Sequence, residues 1–243
     1  MNIALLTGRG GNSSLPDKNV LKVLNRPMMA YPALMAKEAN TIDDVYISTD
    51  GEKLISIANE MNIKVIKRPK ELAQPDSLHK DAIVHALKWL EEKSIYPDII
   101  VVLLCNVGTH ISGNIDKCVT ILENNPEIDS AVTIDERNEY HPLRAKKLGK
   151  DGFLKPFIST DPNIKISTNR QDLEPCYFLD HSMWAIRVKN CFKEGKKGQP
   201  PWDFLGNKII GVPCQGAIDI HTLADVSYTE EWLKQNGWDA QID

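Results

Sequence analysis

Residues 99 to 104 read IIVVLL, six aliphatic side chains with no polar interruption. A strand of that composition offers water no face, so it belongs in a sheet covered on both sides. Such cover comes from βαβ crossovers, in which each returning helix packs onto the sheet. The first two thirds of the chain alternate accordingly. Asn2 to Thr7, Val45 to Thr49 and Ile63 to Ile66 are further apolar runs, while Pro27 to Ala39, Glu52 to Met61, His79 to Glu92 and Ile115 to Asn124 carry apolar residues at helical spacing. The expectation is a three-layer α/β/α, Rossmann-like fold around a mostly parallel sheet, with ligands at the C-terminal strand ends.

The pattern changes after about residue 137. RAKKLGKDGFLKPF reads as two short strands around Lys150, Asp151 and Gly152, and the polar, proline-punctuated stretch that follows makes about 140 to 175 an excursion from the core. Strand patterning returns at Cys176 to Arg187 and Lys208 to Pro213. Thr222 to Gln235 reads as a helix with Thr222 as N-cap. There is no internal repeat, and 243 residues at 42% hydrophobic suit one domain over 1–243 with an arm at about 140–175.

A net charge of −4 without a long Lys/Arg run argues against nucleic acid or an anionic membrane as partner. No apolar run approaches the roughly 18 residues of a membrane span, and the strand pattern begins at once without a leader, so the expected location is the cytoplasm. Five cysteines, odd in number and without a CxxC pair, fit free thiols in a reducing compartment.

The first strand runs into GRGGNSSLPDKN, residues 8 to 19. Small residues after a strand let backbone N–H groups approach an anion and leave room for Arg9 and Lys18. Two familiar phosphate loops do not fit. Nothing near Gly8 or Gly11 supplies GxxxxGK[ST], and GxGxxG from Gly8 needs glycine where Ser13 stands. On this loop alone, a triphosphate grip and an ordinary polar connection both stand.

Taken together, RGGNSSLPDKN, VYISTDGEKLISIANE, RPKELAQPDS, YHPL and AIDIHTLADV occur in an order and spacing that resembles the CMP-sialic acid synthetase family, which also includes enzymes activating KDO, legionaminic and pseudaminic acids. The resemblance covers nearly the whole chain and is most specific in the N-terminal half. It implies a nucleotidyltransferase that transfers CMP from CTP to an acidic, ulosonic or sialic-acid-like sugar and releases pyrophosphate, working as a homodimer that packs through the arm. By position, Arg9, Lys18 and Asp219 match catalytic residues, and Gly8, Arg9, Gly10, Asn12, Lys18, Asn19, Arg68, Ser77 and His79 match the nucleotide site.

The resemblance also implies Mg²⁺ on an Asp-x-Asp, which here reads Asp219-Ile220-His221. Imidazole is a poor Mg²⁺ ligand and a good transition-metal ligand. Three readings stand: His221 holds a water of the Mg²⁺ shell or touches phosphate; the site takes Mn²⁺ or another metal; or metal-dependent catalysis is lost. Asp225 reads as a first-turn carboxylate.

The sugar side departs further from the family. Cys105 stands where the family has glutamine, Gly108, Thr109 and His110 replace Ser-Pro-Leu, and Asp180-His181-Ser182 replaces Asn-Gly-Ala. Cys105, Asn106, His110, His141, Asp180 and His181 are the acceptor-side candidates. In the loop, Asn12 and Ser13 replace Ser-Lys, leaving the grip to Arg9 and Lys18. The alternatives are a degenerate homologue that binds nucleotide or sugar acid without turnover, and a nucleotidyltransferase with another acceptor.

Overall fold

The computed structural model describes residues 1–11, 15–159, 161 and 166–238, so Asn12 lies outside the described residues. In chain order the elements are β1 (Asn2–Thr7), β2 (Lys22–Val23), β3 (Arg26–Pro27), α1 (Ala30–Glu38), β4 (Asp44–Thr49), α2 (Glu52–Glu60), β5 (Lys64–Lys67) and α3 (His79–Glu91). There follow β6 (Ile99–Leu104), α4 (Asn114–Asn124), β7 (Ser130–Glu136), β8 (Lys146–Leu148), β9 (Leu154–Pro156), β10 (Tyr177–Arg187), α5 (Val188–Cys191), β11 (Ile209–Pro213) and α6 (Leu223–Gln235).

Seven strands form one sheet in the order β11-β7-β10-β6-β1-β4-β5. Only β10 runs against the others, pairing antiparallel with both β6 and β7. The IIVVLL run is β6, near the middle of the sheet and wholly buried. Its side chains alternate between the two faces, as period-2 geometry requires. Ile99, Val101 and Leu103 join one core with α1, α2, α4 and α6, while Ile100, Val102 and Leu104 join the other with α3. The three layers expected from the βαβα pattern are therefore present.

Two local differences have clear causes. The helix expected from Pro27 begins at Ala30, because Arg26 and Pro27 pair with Lys22 and Val23 in a tight hairpin whose corner, Leu24 and Asn25, has positive φ. Strand β7, SAVTIDE, had no counterpart among the expected strands. It is a buried strand whose far end turns polar, so its pattern fades before its pairing does.

Strands β8 and β9 form the expected hairpin, outside the main sheet. Leu148, Phe153, Leu154 and Phe157 on this arm are each more than 60% exposed. At the other end of the chain, α6 starts with a full capping box. Thr222 Oγ1 accepts from the Asp225 amide and Asp225 returns the bond to the Thr222 amide. Among the described residues no helix is long and apolar enough to cross a membrane.

Candidate active site

A cavity of about 350 Å³ opens at the C-terminal ends of β1 and β6, where a parallel sheet places its ligands. The loop after β1 enters it first. A Cβ added to Gly8 would lie 2.9 Å from both Cβ and Sγ of Cys105, so only glycine lets this backbone lie against the end of β6. Arg9 lines the cavity and its guanidinium donates to the Gln74 carbonyl at 2.6 Å. Gly10 turns away from the cavity. Its amide donates to Asp50 Oδ1 at 2.9 Å, and its backbone packs on Gly51.

Lys18 and Asn19 follow in a single tight turn. Asn19 Nδ2 donates to the Arg9 carbonyl at 3.0 Å, pinning the loop's shape. Lys18 is 8% exposed, lines the cavity, and its Nζ donates to the Ile220 carbonyl at 2.8 Å. Burial pushes its ammonium below the ordinary lysine value, opposed by the carboxylates of Asp219 and Asp225 and reinforced by Arg9. Arg68 is equally buried. Its Nε donates to Ser48 Oγ at 3.1 Å and Nη2 to the Ser48 carbonyl at 2.7 Å, fixing the guanidinium against the end of β4.

Ser77 and His79 bound the cavity before and at the start of α3. Ser77 accepts from the Gln74 amide at 2.9 Å and closes the turn whose carbonyl holds Arg9. His79 reaches solvent, yet the protein around its ring holds its pKa below the ordinary value, helped by Arg68 and His181. Asn106 lines the same space, as do Asp219 and His221. Asp219 is anchored by a backbone bridge to Val107, and its Oδ2 lies 2.5 Å from His221 Nε2.

Three cations, one carboxylate and two imidazoles thus face one space. The other acceptor-side candidates sit elsewhere. Cys105 is fully buried beneath Gly8, its thiol pushed up to about 12 by burial. His110 is buried behind the cavity, bonded to the Val107 carbonyl at 3.0 Å, with a pKa lowered to about 4 by burial. His141 is on the arm, where Nδ1 accepts from the Leu143 amide. Asp180 is buried, accepting from Ser182 and Thr133, and its other oxygen has no partner among the described residues. His181 lies beside Trp184 and Trp202.

Comparison with known proteins gives the chain a family. The family model described as "Cytidylyltransferase" matches residues 3–135, more than half of the chain. The chain belongs to the cytidylyltransferase family. The match spans the cytidylyltransferase elements β1 to β7, and so includes Arg9, Lys18, Arg68 and His79 while stopping short of Asp219. A pseudaminic acid cytidylyltransferase of Campylobacter jejuni is 26% identical, with 97% of each chain covered. An N-acylneuraminate cytidylyltransferase of Streptococcus agalactiae is 26% identical over 194 residues, 79% of this chain and 45% of that protein. The chain thus spans about half the length of the Streptococcus relative. Among solved structures, a CMP:2-keto-3-deoxy-manno-octonic acid synthetase complexed with CTP shares the fold at TM-score 0.67 and 13% identity, covering 97% of this chain and 99% of that one. A 4-diphosphocytidyl-2C-methyl-D-erythritol synthase from Anaerococcus prevotii does so at TM-score 0.64.

Several cavity residues carried no mark in the linear sequence. Gln74 acts through its backbone, and Leu72, Leu78 and Leu104 form an apolar wall. The one available signal was Gln74-Pro75, a turn dipeptide just before α3.

Proposed function

We propose that the chain is an enzyme transferring CMP from CTP to a hydroxyl of an acidic, ulosonic or sialic-acid-like sugar. The observation that carries this reading is the convergence of Arg9, Lys18 and Arg68 with Asp219 in one cavity of a cytidylyltransferase-family fold. The names of the relatives agree with it.

In this reading the acceptor hydroxyl oxygen bonds to the α-phosphorus while the bond from that phosphorus to the β-bridging oxygen breaks. Pyrophosphate leaves with the electron pair, and the hydroxyl proton is released to water. Little covalent work falls to the protein, so catalysis is positioning and charge stabilisation. Arg9 and Lys18 take the triphosphate oxygens, with Lys18 held by Ile220 and Arg9 by Gln74 so that neither must reorganise. Arg68 and Asn19, both buried and tethered, shape the nucleotide end, with Ser77 and His79 opposite.

The donor set suits a Mg²⁺ shared with the substrate. Asp219 is a hard oxygen donor lining the cavity, and among the described residues no group of three or more His, Cys, Asp or Glu forms a cage of its own. Mg²⁺ commonly binds through one or two carboxylates plus phosphates. The ion would neutralise charge on the triphosphate. His221 adds a nitrogen donor, which leaves Mn²⁺ as the other choice.

The arm supports a homodimer. Four large apolar side chains on an exposed hairpin have no cover among the described residues, and a second copy is the occupant we assign. Sedimentation of the wild type and of Phe153→Glu tests it, a monomeric wild type counting against the assignment.

The reading is tested by thermal shift with CTP against ATP, GTP and UTP, with and without Mg²⁺ or Mn²⁺. Pyrophosphate release is then followed with CTP and a panel of ulosonic acids. Equal stabilisation by all four nucleotides sinks the cytidylyl assignment. Selective CTP binding without release on any acceptor or metal selects the non-catalytic homologue instead.

A further inference from the structure

Ser48 and Thr49 end β4, Asp50 follows, and none of the three lines the cavity. Each nevertheless holds a group that leads into it. Ser48 accepts twice from the Arg68 guanidinium, through Oγ and through its carbonyl. The Thr49 carbonyl accepts the Arg68 amide at 2.8 Å, and Thr49 Oγ1 accepts the Gly51 amide at 3.0 Å. Asp50 Oδ1 accepts the Gly10 amide, its one hydrogen bond among the described residues.

Like charges repel, so a carboxylate beside a loop that grips a triphosphate works against the ligand. Its hydrogen bond supplies the offset. The Arg9–Gly10 peptide is held from both edges: Asn19 Nδ2 donates to its carbonyl at 3.0 Å, and Asp50 accepts from its amide at 2.9 Å. In a trans peptide these two groups point opposite ways, so partners on opposite sides fix the plane. Glycine at position 10 would otherwise leave that plane free to turn. Glycine is still needed there, since a Cβ would lie 3.1 Å from Gly51 Cα, where the loop rests on the start of α2. Arg9 leaves the backbone at this clamped peptide and carries its guanidinium to the Gln74 carbonyl across the cavity.

We propose that Asp50 is a positioning residue for the triphosphate grip, acting through the Arg9–Gly10 peptide to aim the Arg9 guanidinium. This rests on the cytidylyl-transfer reading, in which Arg9 takes triphosphate oxygens. Asp50 itself touches no substrate. Its charge strengthens the bond to the Gly10 amide, but the geometry asks only for an acceptor oxygen at the Oδ1 position.

CTP affinity is measured by calorimetry with Mg²⁺ for wild type, Asp50→Ala, Asp50→Asn, Arg9→Met and the double variant of Asp50→Ala with Arg9→Met, each checked for folding by circular dichroism. Asp50→Ser, whose hydroxyl ends one bond short of the Oδ1 position, replaces Asp50→Ala if alanine unfolds the chain. Asp50→Ala is expected to weaken CTP binding about tenfold, the loss of one hydrogen bond. Asp50→Asn keeps an acceptor for the Gly10 amide and drops the repelling charge, so its dissociation constant stays within about threefold of wild type. With Arg9→Met already present, Asp50→Ala changes the dissociation constant less than about twofold, because no guanidinium is left to aim. A residue that only stabilises the fold would act equally in both backgrounds, and that result overturns the positioning role. So does wild-type affinity in Asp50→Ala or in Arg9→Met, or an Asp50→Asn as weak as Asp50→Ala. All of these leave the transferase reading intact. A wild type that binds CTP no more tightly than ATP, GTP or UTP overturns both.

Discussion

Lys18 Nζ hydrogen-bonds the carbonyl oxygen of Ile220 at 2.8 Å, joining the loop after β1 to the segment that carries Asp219 and His221. One ammonium therefore serves two ends of the chain 202 positions apart. It fixes the relative position of the candidate triphosphate grip and the candidate metal carboxylate. Lys18→Met removes both the charge and the tie. The expected outcome is a fall in kcat/KM of at least about 100-fold, on the order of 3 kcal/mol of transition-state stabilisation. Chemical denaturation should also show a loss of about 1 kcal/mol, since the Ile220 carbonyl loses its shorter hydrogen bond and keeps only the one from Asn106 Nδ2 at 3.4 Å. Wild-type kcat/KM in this variant would remove Lys18 from the mechanism.

Gly8 and Cys105 make the second coupled pair. A methyl on Gly8 would sit 2.9 Å from two atoms of Cys105, which is fully buried and cannot yield outward. Gly8→Ala should cost about 1–3 kcal/mol of stability and weaken CTP binding, as overpacking at a closed site does. Cys105→Ala removes Sγ, one of the two atoms the new methyl meets, and leaves the Cβ contact. The double variant should then recover part of the loss, giving a coupling energy of at least about 0.5 kcal/mol in a double-mutant cycle. Simple additivity would show that the two residues do not share this space.

How far the linear sequence reveals this molecule follows from where its signals are local. β1 and β6 have the bounds expected from their apolar runs, because each is buried along its whole length and nothing blurs the pattern. Arg9 and Arg68 can be placed too, each within two residues of a strand end, whereas Lys18 lies eleven residues past β1. Residues 105 to 110 are less so. CNVGTH reads as a polar loop, yet Cys105 lies beneath Gly8, Thr109 accepts from the Ile218 amide of the distant segment bridged to Val107, and His110 is buried as well. Trp202 gave no signal, since its place beside His181 depends on the bulge in β10 and on a loop with no periodicity. Long-range contacts of this kind carry no local spacing to read.

Asp219 and His221 make a third testable pair, their side chains 2.5 Å apart at the edge of the cavity. Asp219→Ala should abolish pyrophosphate release while leaving the melting temperature within a few degrees, since its backbone bridge to Val107 does not need the carboxylate. His221→Asp replaces a nitrogen donor with a hard oxygen donor. The expected effect is a shift of metal preference toward Mg²⁺, read as a lower ratio of Mg²⁺ to Mn²⁺ dissociation constants in the presence of CTP, by calorimetry. Activity that survives Asp219→Ala in full would dissolve the metal assignment, and an unchanged ratio would take His221 out of it.

His110 should weaken the fold in mild acid. Buried behind the cavity, it titrates near 4 when folded, against 6.5 for an exposed imidazole, because burial disfavours the charged form. As pH falls below about 6.5 the unfolded chain takes up this proton before the folded chain does, so stability drops until about pH 4. The full loss is about 3 kcal/mol. His79 and His85, also lowered, add in the same direction. Asp116, Asp129 and Asp225 are lowered as acids, so their contribution holds above the ordinary carboxylate value and is lost only beneath it. The window from pH 6.5 to 4 therefore isolates the histidines. His110→Gln keeps a donor for the Val107 carbonyl but cannot titrate, and urea unfolding at pH 7 and pH 4.5 should show it losing clearly less stability than wild type. Equal losses in the two proteins would mean that His110 is protonated in the folded state as readily as in the unfolded one.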